Sequence, residues 1–178
     1  MPSVKHSVPT LAELDQLIER LYDQDDVVRL EARDRVVRLG EAAVEPLVKM
    51  LDEPEPRPRW EAIKSLEELA SPRSIPALIK ALDDEIPGIR YMAAHGLVAI
   101  GPEALPPLLM RLVESPHAGW LREGAHHVLY YYASHDELGP IVQPVLQAMR
   151  ASQPGIAVPF AAAEARQKLL AQQAVAQH

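Results

Sequence analysis

Four arginines, Arg29, Arg59, Arg90 and Arg122, recur at intervals of 30, 31 and 32 residues, each near the start of an apolar stretch rich in helix formers. Eighteen or 19 residues after the first three comes an L-x-x-x-L step: Leu47 and Leu51, Leu78 and Leu82, Leu108 and Leu112. After the fourth arginine the corresponding pair is Val145 and Met149. A unit of about 31 residues holding two helix-sized segments cannot bury its apolar face alone. It is stable only when stacked on others of its kind, as in a helical solenoid.

The repetition divides the chain. A short disordered stretch, 1–9, is expected before Thr10, which with Glu13 forms T-x-x-E ahead of Leu11, Leu14, Leu17, Ile18 and Leu21 at helical spacing. This predicts a capping helix over 10–23. Helix pairs then follow over about 26–53, 57–84, 87–114 and 117–151, with a terminal helix over 156–174 and a tail at 175–178. The whole of 10–174 reads as one domain. Asp26 is the expected cap of the first repeat, and Gly40, Ser71-Pro72 and Gly101-Pro102 divide the pairs. Most of the 17 prolines fall at breaks. Pro46, Pro76, Pro106, Pro107 and Pro144 are placed in the first turn or so of each second helix, where a missing N–H costs least.

Composition limits the chemistry. Apolar residues make up 48% and aromatics only 4%, so the core is Leu, Ala, Val and Ile. No cysteine is present, which removes disulfides, thiolate metal sites and cysteine nucleophiles together. No apolar run approaches the roughly 20 residues of a membrane span, and the N-terminus lacks the apolar stretch of a secretory signal. A cytoplasmic protein that binds no membrane is the expectation. The formal charge is −7, with 12 acids against 7 bases in residues 1–53 and 4 of each in 116–178. Without a basic cluster to neutralise phosphates, nucleic acid is excluded as an expected partner.

The run Ile89-Arg90-Tyr91-Met92-Ala93-Ala94-His95-Gly96-Leu97-Val98-Ala99-Ile100-Gly101, followed by Ala104, Leu105, Pro106, Leu108, Leu109 and Leu112, resembles HEAT repeats. It is similar in particular to the short HEAT-like units named after phycobilisome lyases. Val28-Arg29 with Ala32, Leu39 and Gly40 is a second copy. Arg59, Ala62, Leu66 and Leu69 are a looser third, and Arg122, Ala125 and Leu129 a degenerate fourth. The resemblance implies an all-α fold, a right-handed α-solenoid of about four helix pairs with N- and C-terminal capping helices. It also implies that Arg29, Arg59, Arg90 and Arg122 form a structural ladder with acids lying before each first helix, and that the second helices line a concave surface.

Candidate chemistry is sparse. His117, His126, His127 and His135 fall within 19 residues, but neighbours on a helix point about 100° apart, so His126 and His127 cannot face one ion. Di-iron relatives with this kind of repeat, the deoxyhypusine hydroxylases, carry His-Glu just after the repeat arginine. Here those positions hold Leu30-Glu31, Trp60-Glu61, Tyr91-Met92 and Glu123-Gly124, with no histidine. A metal oxygenase is therefore the least favoured reading, and no metal, cofactor or catalytic residue is expected. Bilin lyases are the other enzymatic relatives. Five of the eight aromatics, Trp120, Tyr130, Tyr131, Tyr132 and Phe160, lie in the last third beside Arg122, which keeps an accessory role in tetrapyrrole attachment or enzyme maturation open.

The favoured reading is a non-catalytic scaffold or adaptor that binds another protein or peptide. Its expected contact residues are Trp120, His127, Tyr131, Tyr132 and His135 in the irregular fourth repeat, with Lys49, Lys80 and Arg111 on the second helices. Three consecutive tyrosines span about 200° of helical arc, so at least one must be exposed; Tyr131 or Tyr132 is expected to be. The competing expectation is that the longer fourth-repeat helix covers the end of the stack beneath a final helix around Phe160.

Overall fold

A computed structural model of the chain describes residues 11–135 and 137–176. Thr10 of the expected capping box, the stretch 1–9 and the last two residues lie outside the described residues. Within them the chain is helical with no strand: α1 Leu11–Arg20, α2 Asp26–Arg38, α3 Val44–Met50, α4 Pro56–Leu69, α5 Ile75–Ala81, α6 Pro87–Ile100, α7 Leu105–Glu114, α8 Gly119–His135, α9 Gly139–Met149 and α10 Pro154–Ala176. No single helix among these is long and apolar enough to cross a membrane.

Local chemistry explains the punctuation. Asp25, not Asp26, caps α2: its side chain accepts the Val27 N–H at 2.8 Å, and Asp26 is already in the first turn. In the turn from arginine helix to second helix, Gly40, Ala70 and Gly101 all have positive φ. A short 3₁₀ segment lies at each, Gly40–Ala43, Pro72–Ser74 and Pro102–Ala104, so the second α-helices begin only at Val44, Ile75 and Leu105. Pro46, Pro76, Pro106 and Pro107 accordingly sit at the starts of α3, α5 and α7. Pro144 does not. The helix begins at Gly139, with Pro140 taking the first-turn place, so Pro144 lies inside α9. α8 continues through His135, so few residues separate it from α9.

The core is continuous along the stack. Leu47, Leu78 and Leu108 are fully buried at equivalent places, in one core with Ala32, Ala62, Ala93, Ala94 and Ala125 of the arginine helices. Those small residues let the arginine helices approach closely, α2 to α4, α4 to α6 and α6 to α8. Between the layers, Gly124 of α8 comes so near the C-terminal end of α5 that a Cβ would stand 2.8 Å from the Leu82 carbonyl oxygen. The Leu-rich second helices stand further apart, α5 touching α7 only lightly.

The C-terminal end departs from the regular order. α9 packs on α8, but α10 packs on both α7 and α9, so α10 fills the place beside α7 that a fourth second helix would take. Its buried stripe is Val158, Ala162, Ala165 and Leu169, at spacings of four, three and four. Phe160 lies on the opposite face and is 76% exposed. No cover over the fourth repeat is built around Phe160, because α10 packs through Val158, Ala162, Ala165 and Leu169 instead.

Candidate binding face on α6 and α8

The arginine ladder fixes how α6 and α8 sit. Arg29 donates to the Asp23 carbonyl oxygen at 2.7 Å and to Asp26, and its Nε lies 3.3 Å from Glu61 of the next repeat. Arg59 donates to the carbonyl oxygens of Glu53 and Pro54, both at 2.9 Å, and lies 3.0 Å from Asp84. Arg90 donates to the Asp84 carbonyl oxygen at 2.8 Å and meets Glu123 of α8 at 2.8 Å. Each guanidinium thus ties its own lead-in loop to an acid of the following unit. Burial opposes the charge of Arg29, and hydrogen bonds to Asp26 and Glu61 nonetheless hold its pKa above the ordinary value. Arg122 holds the Pro116 carbonyl oxygen at 2.7 Å.

Along α8, the spacings of Trp120, His127, Tyr131 and His135 place the four on one stripe. Trp120 is 50% exposed and lies under the Arg90 guanidinium at 5.7 Å, a cation–π distance. Tyr131 is 43% exposed and stacks on His135 at 5.1 Å. Tyr132 is the exception among the expected contact residues. It is 2% exposed, because it continues the core stripe of Leu121, Ala125, Val128 and Leu129, and it presents no surface to a partner.

Sequence reasoning missed the other half of this face. Tyr91 and His95 of α6 meet each other at 4.4 Å, and Tyr91 meets His127 edge-on at 5.3 Å across the two helices. Together Tyr91, Ala94, His95, Val98, His127 and Tyr131 enclose a hollow of about 230 Å³. The signal was in the repeat register: His95 and His127 each stand five residues after their arginine, and Lys64 occupies that place in α4. Lys64 lies over the Trp60 ring at 5.6 Å, and His95 lies 3.9 Å from Glu67. This face of the arginine helices thus carries polar and aromatic side chains over three successive helices, α4, α6 and α8.

Beside this hollow is another of about 380 Å³, lined by Arg122, Glu123, His126, His127 and Met149. His126 stacks on Tyr130 at 6.0 Å. Its pKa is below the ordinary histidine value, through burial first and then through His127 and Arg150. Among the described residues no three His, Asp or Glu side chains converge as a metal site requires.

Lys49, Lys80 and Arg111 are elsewhere, on the second-helix layer. Lys49 pairs within its own helix with Glu45 at 3.9 Å, and Lys80 pairs with Asp52. Lys80 and Arg111 share a shallow hollow with Asp83 and Asp84. These cations are not brought together with the aromatic stripe.

No curated protein matches the chain. A family model for HEAT repeats matches residues 14–85 and again 44–129. The two stretches overlap and cover well over half of the 178 residues, including every helix from α2 to α7 and most of α8. With that coverage and this stacked all-helical fold, the chain belongs to the HEAT-repeat family.

Proposed function

We propose that the chain is a non-catalytic scaffold or adaptor that binds a partner protein through the polar and aromatic face of its arginine helices. HEAT repeats generally serve as protein-interaction scaffolds. The observation that carries the reading here is the line Trp120, His127, Tyr131 and His135 beside Tyr91 and His95. Exposed aromatics with polar edges are enriched at interface cores and depleted from inert surfaces. A hollow of about 230 Å³ lies under the roughly 300–1,000 Å³ of pockets that bury a drug-sized ligand, and suits one anchoring side chain. The runner-up, to which the likeness with phycobilisome-lyase-type units would point, is an accessory lyase or maturation role with a tetrapyrrole held across this hollow and the one of about 380 Å³ beside it. The reading places the protein in the cytoplasm, in keeping with a chain that has no cysteine.

A photo-crosslinking residue at Tyr131, with a control at Met110 on α7, tests this in extract from the source cell. The expected result is a discrete adduct at Tyr131, absent at Met110 and lost on Tyr91→Ala with folding intact. Equal capture at both positions, or capture indifferent to Tyr91→Ala, refutes the assigned face.

A further inference from the structure

Arg122 stands apart from the other three ladder arginines. In the earlier repeats each guanidinium meets an acid from the following unit: Glu61 for Arg29, Asp84 for Arg59 and Glu123 for Arg90. Arg122 donates to the Pro116 carbonyl oxygen and pairs with no acid among the described residues. The reason lies in the direction of the next helix. α9 follows α8 after a short turn and runs back along it, so its C-terminal end lies beside the N-terminal half of α8. Met149 and Arg150 arrive where a parallel fifth unit would deliver an acid.

The result is a hollow with an unmatched positive character in a chain of net charge −7. Arg122, His126, His127 and Met149 line it, and the Arg150 charge acts on His126 from α9. The one acid on its wall, Glu123, is held by Arg90 at 2.8 Å. A half-buried guanidinium with a carbonyl on one side and open space on the other suits a charge-assisted bond to a carboxylate.

We propose that the Arg122 hollow is a docking site for a carboxylate side chain, an Asp or Glu in an acidic segment of the partner protein. That residue takes the place in the ladder that Glu61, Asp84 and Glu123 take for the preceding arginines. The site adjoins the aromatic hollow through His127, which lines both. The assignment rests on the interface reading above and names the chemistry of the partner.

Hexaglutamate titrated into the full chain at low ionic strength tests the site, followed by NMR of the Arg122 Nε–H and the His126 ring. The expected result is that both resonances move, the His126 titration midpoint rises, and hexalysine moves neither. Arg122→Gln should weaken binding by about tenfold or more, the value of one charge-assisted bond. Raising the salt should also weaken it. Met149→Glu, which supplies a carboxylate from within the chain, should block the probe while leaving the fold intact. Resonances unmoved by hexaglutamate, or equal binding by the Arg122→Gln chain, overturn the proposal. So does a concentration-dependent dimer that Arg122→Gln abolishes, which would assign the site to a second copy. If hexaglutamate fails while Tyr131 crosslinking still depends on Tyr91, the carboxylate site alone falls and the aromatic interface stands.

Discussion

Arg33 of α2 reaches Glu61 of α4 at 2.7 Å, and Glu61 is 4% exposed although it carries a charge. Arg29 approaches the same carboxylate from the other side at 3.3 Å and Lys64 at 3.7 Å. Removing one member of a buried pair leaves its partners desolvated and uncompensated. Glu61→Ala should therefore destabilise the chain by about 3 kcal/mol, whereas Glu31→Ala, at an exposed acid, should cost under about 0.5 kcal/mol. Denaturant unfolding of both variants checks the contrast. Equal small effects would mean that α2 and α4 are held by apolar contact alone.

The core register makes its own demand. Leu47, Leu78 and Leu108 are equivalent and fully buried, so each Leu→Ala change should cost about 2–5 kcal/mol through lost burial and a cavity. Gly124→Ala tests the contact of α8 with the end of α5 instead. Alanine is the better helix former by about 1 kcal/mol, but its Cβ would collide with the Leu82 carbonyl at 2.8 Å. The clash is with backbone and cannot be relieved by a rotamer, so net destabilisation of about 1–3 kcal/mol is expected. A stabilised Gly124→Ala chain would show that α8 sits further from α5 than described.

The positive-φ turns rank in a definite order. Gly101 has φ 115° and ψ −171°, a region essentially closed to residues with a Cβ, whereas Gly40 at φ 62° and Ala70 at φ 47°, ψ 36° lie in or near the left-handed helical region. Gly101→Ala should cost about 1–3 kcal/mol and Gly40→Ala less. Ala70→Gly should gain up to about 1 kcal/mol by relieving the left-handed strain. Thermal melts of the three variants decide the order, and loss of stability in Ala70→Gly would contradict it.

These features show what a single sequence carries and what it does not. The arginines and the L-x-x-x-L steps recur together in the first three units because burial and the ladder demand them there, so those helix pairs could be read directly. The close approaches between helices could not: Gly96 meets Leu78 and Gly124 meets the Leu82 carbonyl across helices distant in sequence, which the character of no single helix reveals. Pro144 misled because a proline marks a helix start only when the start is already known, and Gly139-Pro140 provided an earlier one. The site was half legible. The α8 stripe is local in sequence, while Tyr91 joins it only through the packing of α6 on α8. Phe160 misled for a similar reason, since the large residue faces out and the small ones pack.

Tyr22 offers a pH test at the other end of the stack. Burial, a hydrogen bond to Glu53 at 3.0 Å and the Glu53 charge push its phenol up to about 12 from an ordinary 10.0. The folded state thus holds the phenolic proton more tightly than the unfolded chain. Its contribution to stability is constant below pH 10 and is lost as the pH rises toward 12. The phenolate absorbance lost on Tyr22→Phe should be a late component, and Glu53→Gln should move that component to lower pH. A component unchanged by Glu53→Gln would assign the delay to burial alone.

The adjacent pair Tyr131 and Tyr132 separates interface from core most directly. Tyr131 is 43% exposed, stacked on His135 and lining the hollow with Tyr91 and His127. Tyr132 is 2% exposed on the stripe that packs α8 into the stack. Tyr132→Ala should cost about 3–5 kcal/mol, the usual range for deleting a buried aromatic ring. Tyr131→Ala should stay within about 1 kcal/mol of the parent chain, because it removes surface rings and no core volume. Partner binding should respond in the opposite order. Tyr131→Ala should lose about 2 kcal/mol or more of binding free energy if it anchors the interface. A milder core change, Tyr132→Phe, should leave binding unaltered in the folded protein. Melting curves with affinity measurements on the same three variants read both effects. Destabilisation by Tyr131→Ala with affinity retained would make the stripe a packing feature and return the search for the partner face to the second-helix layer.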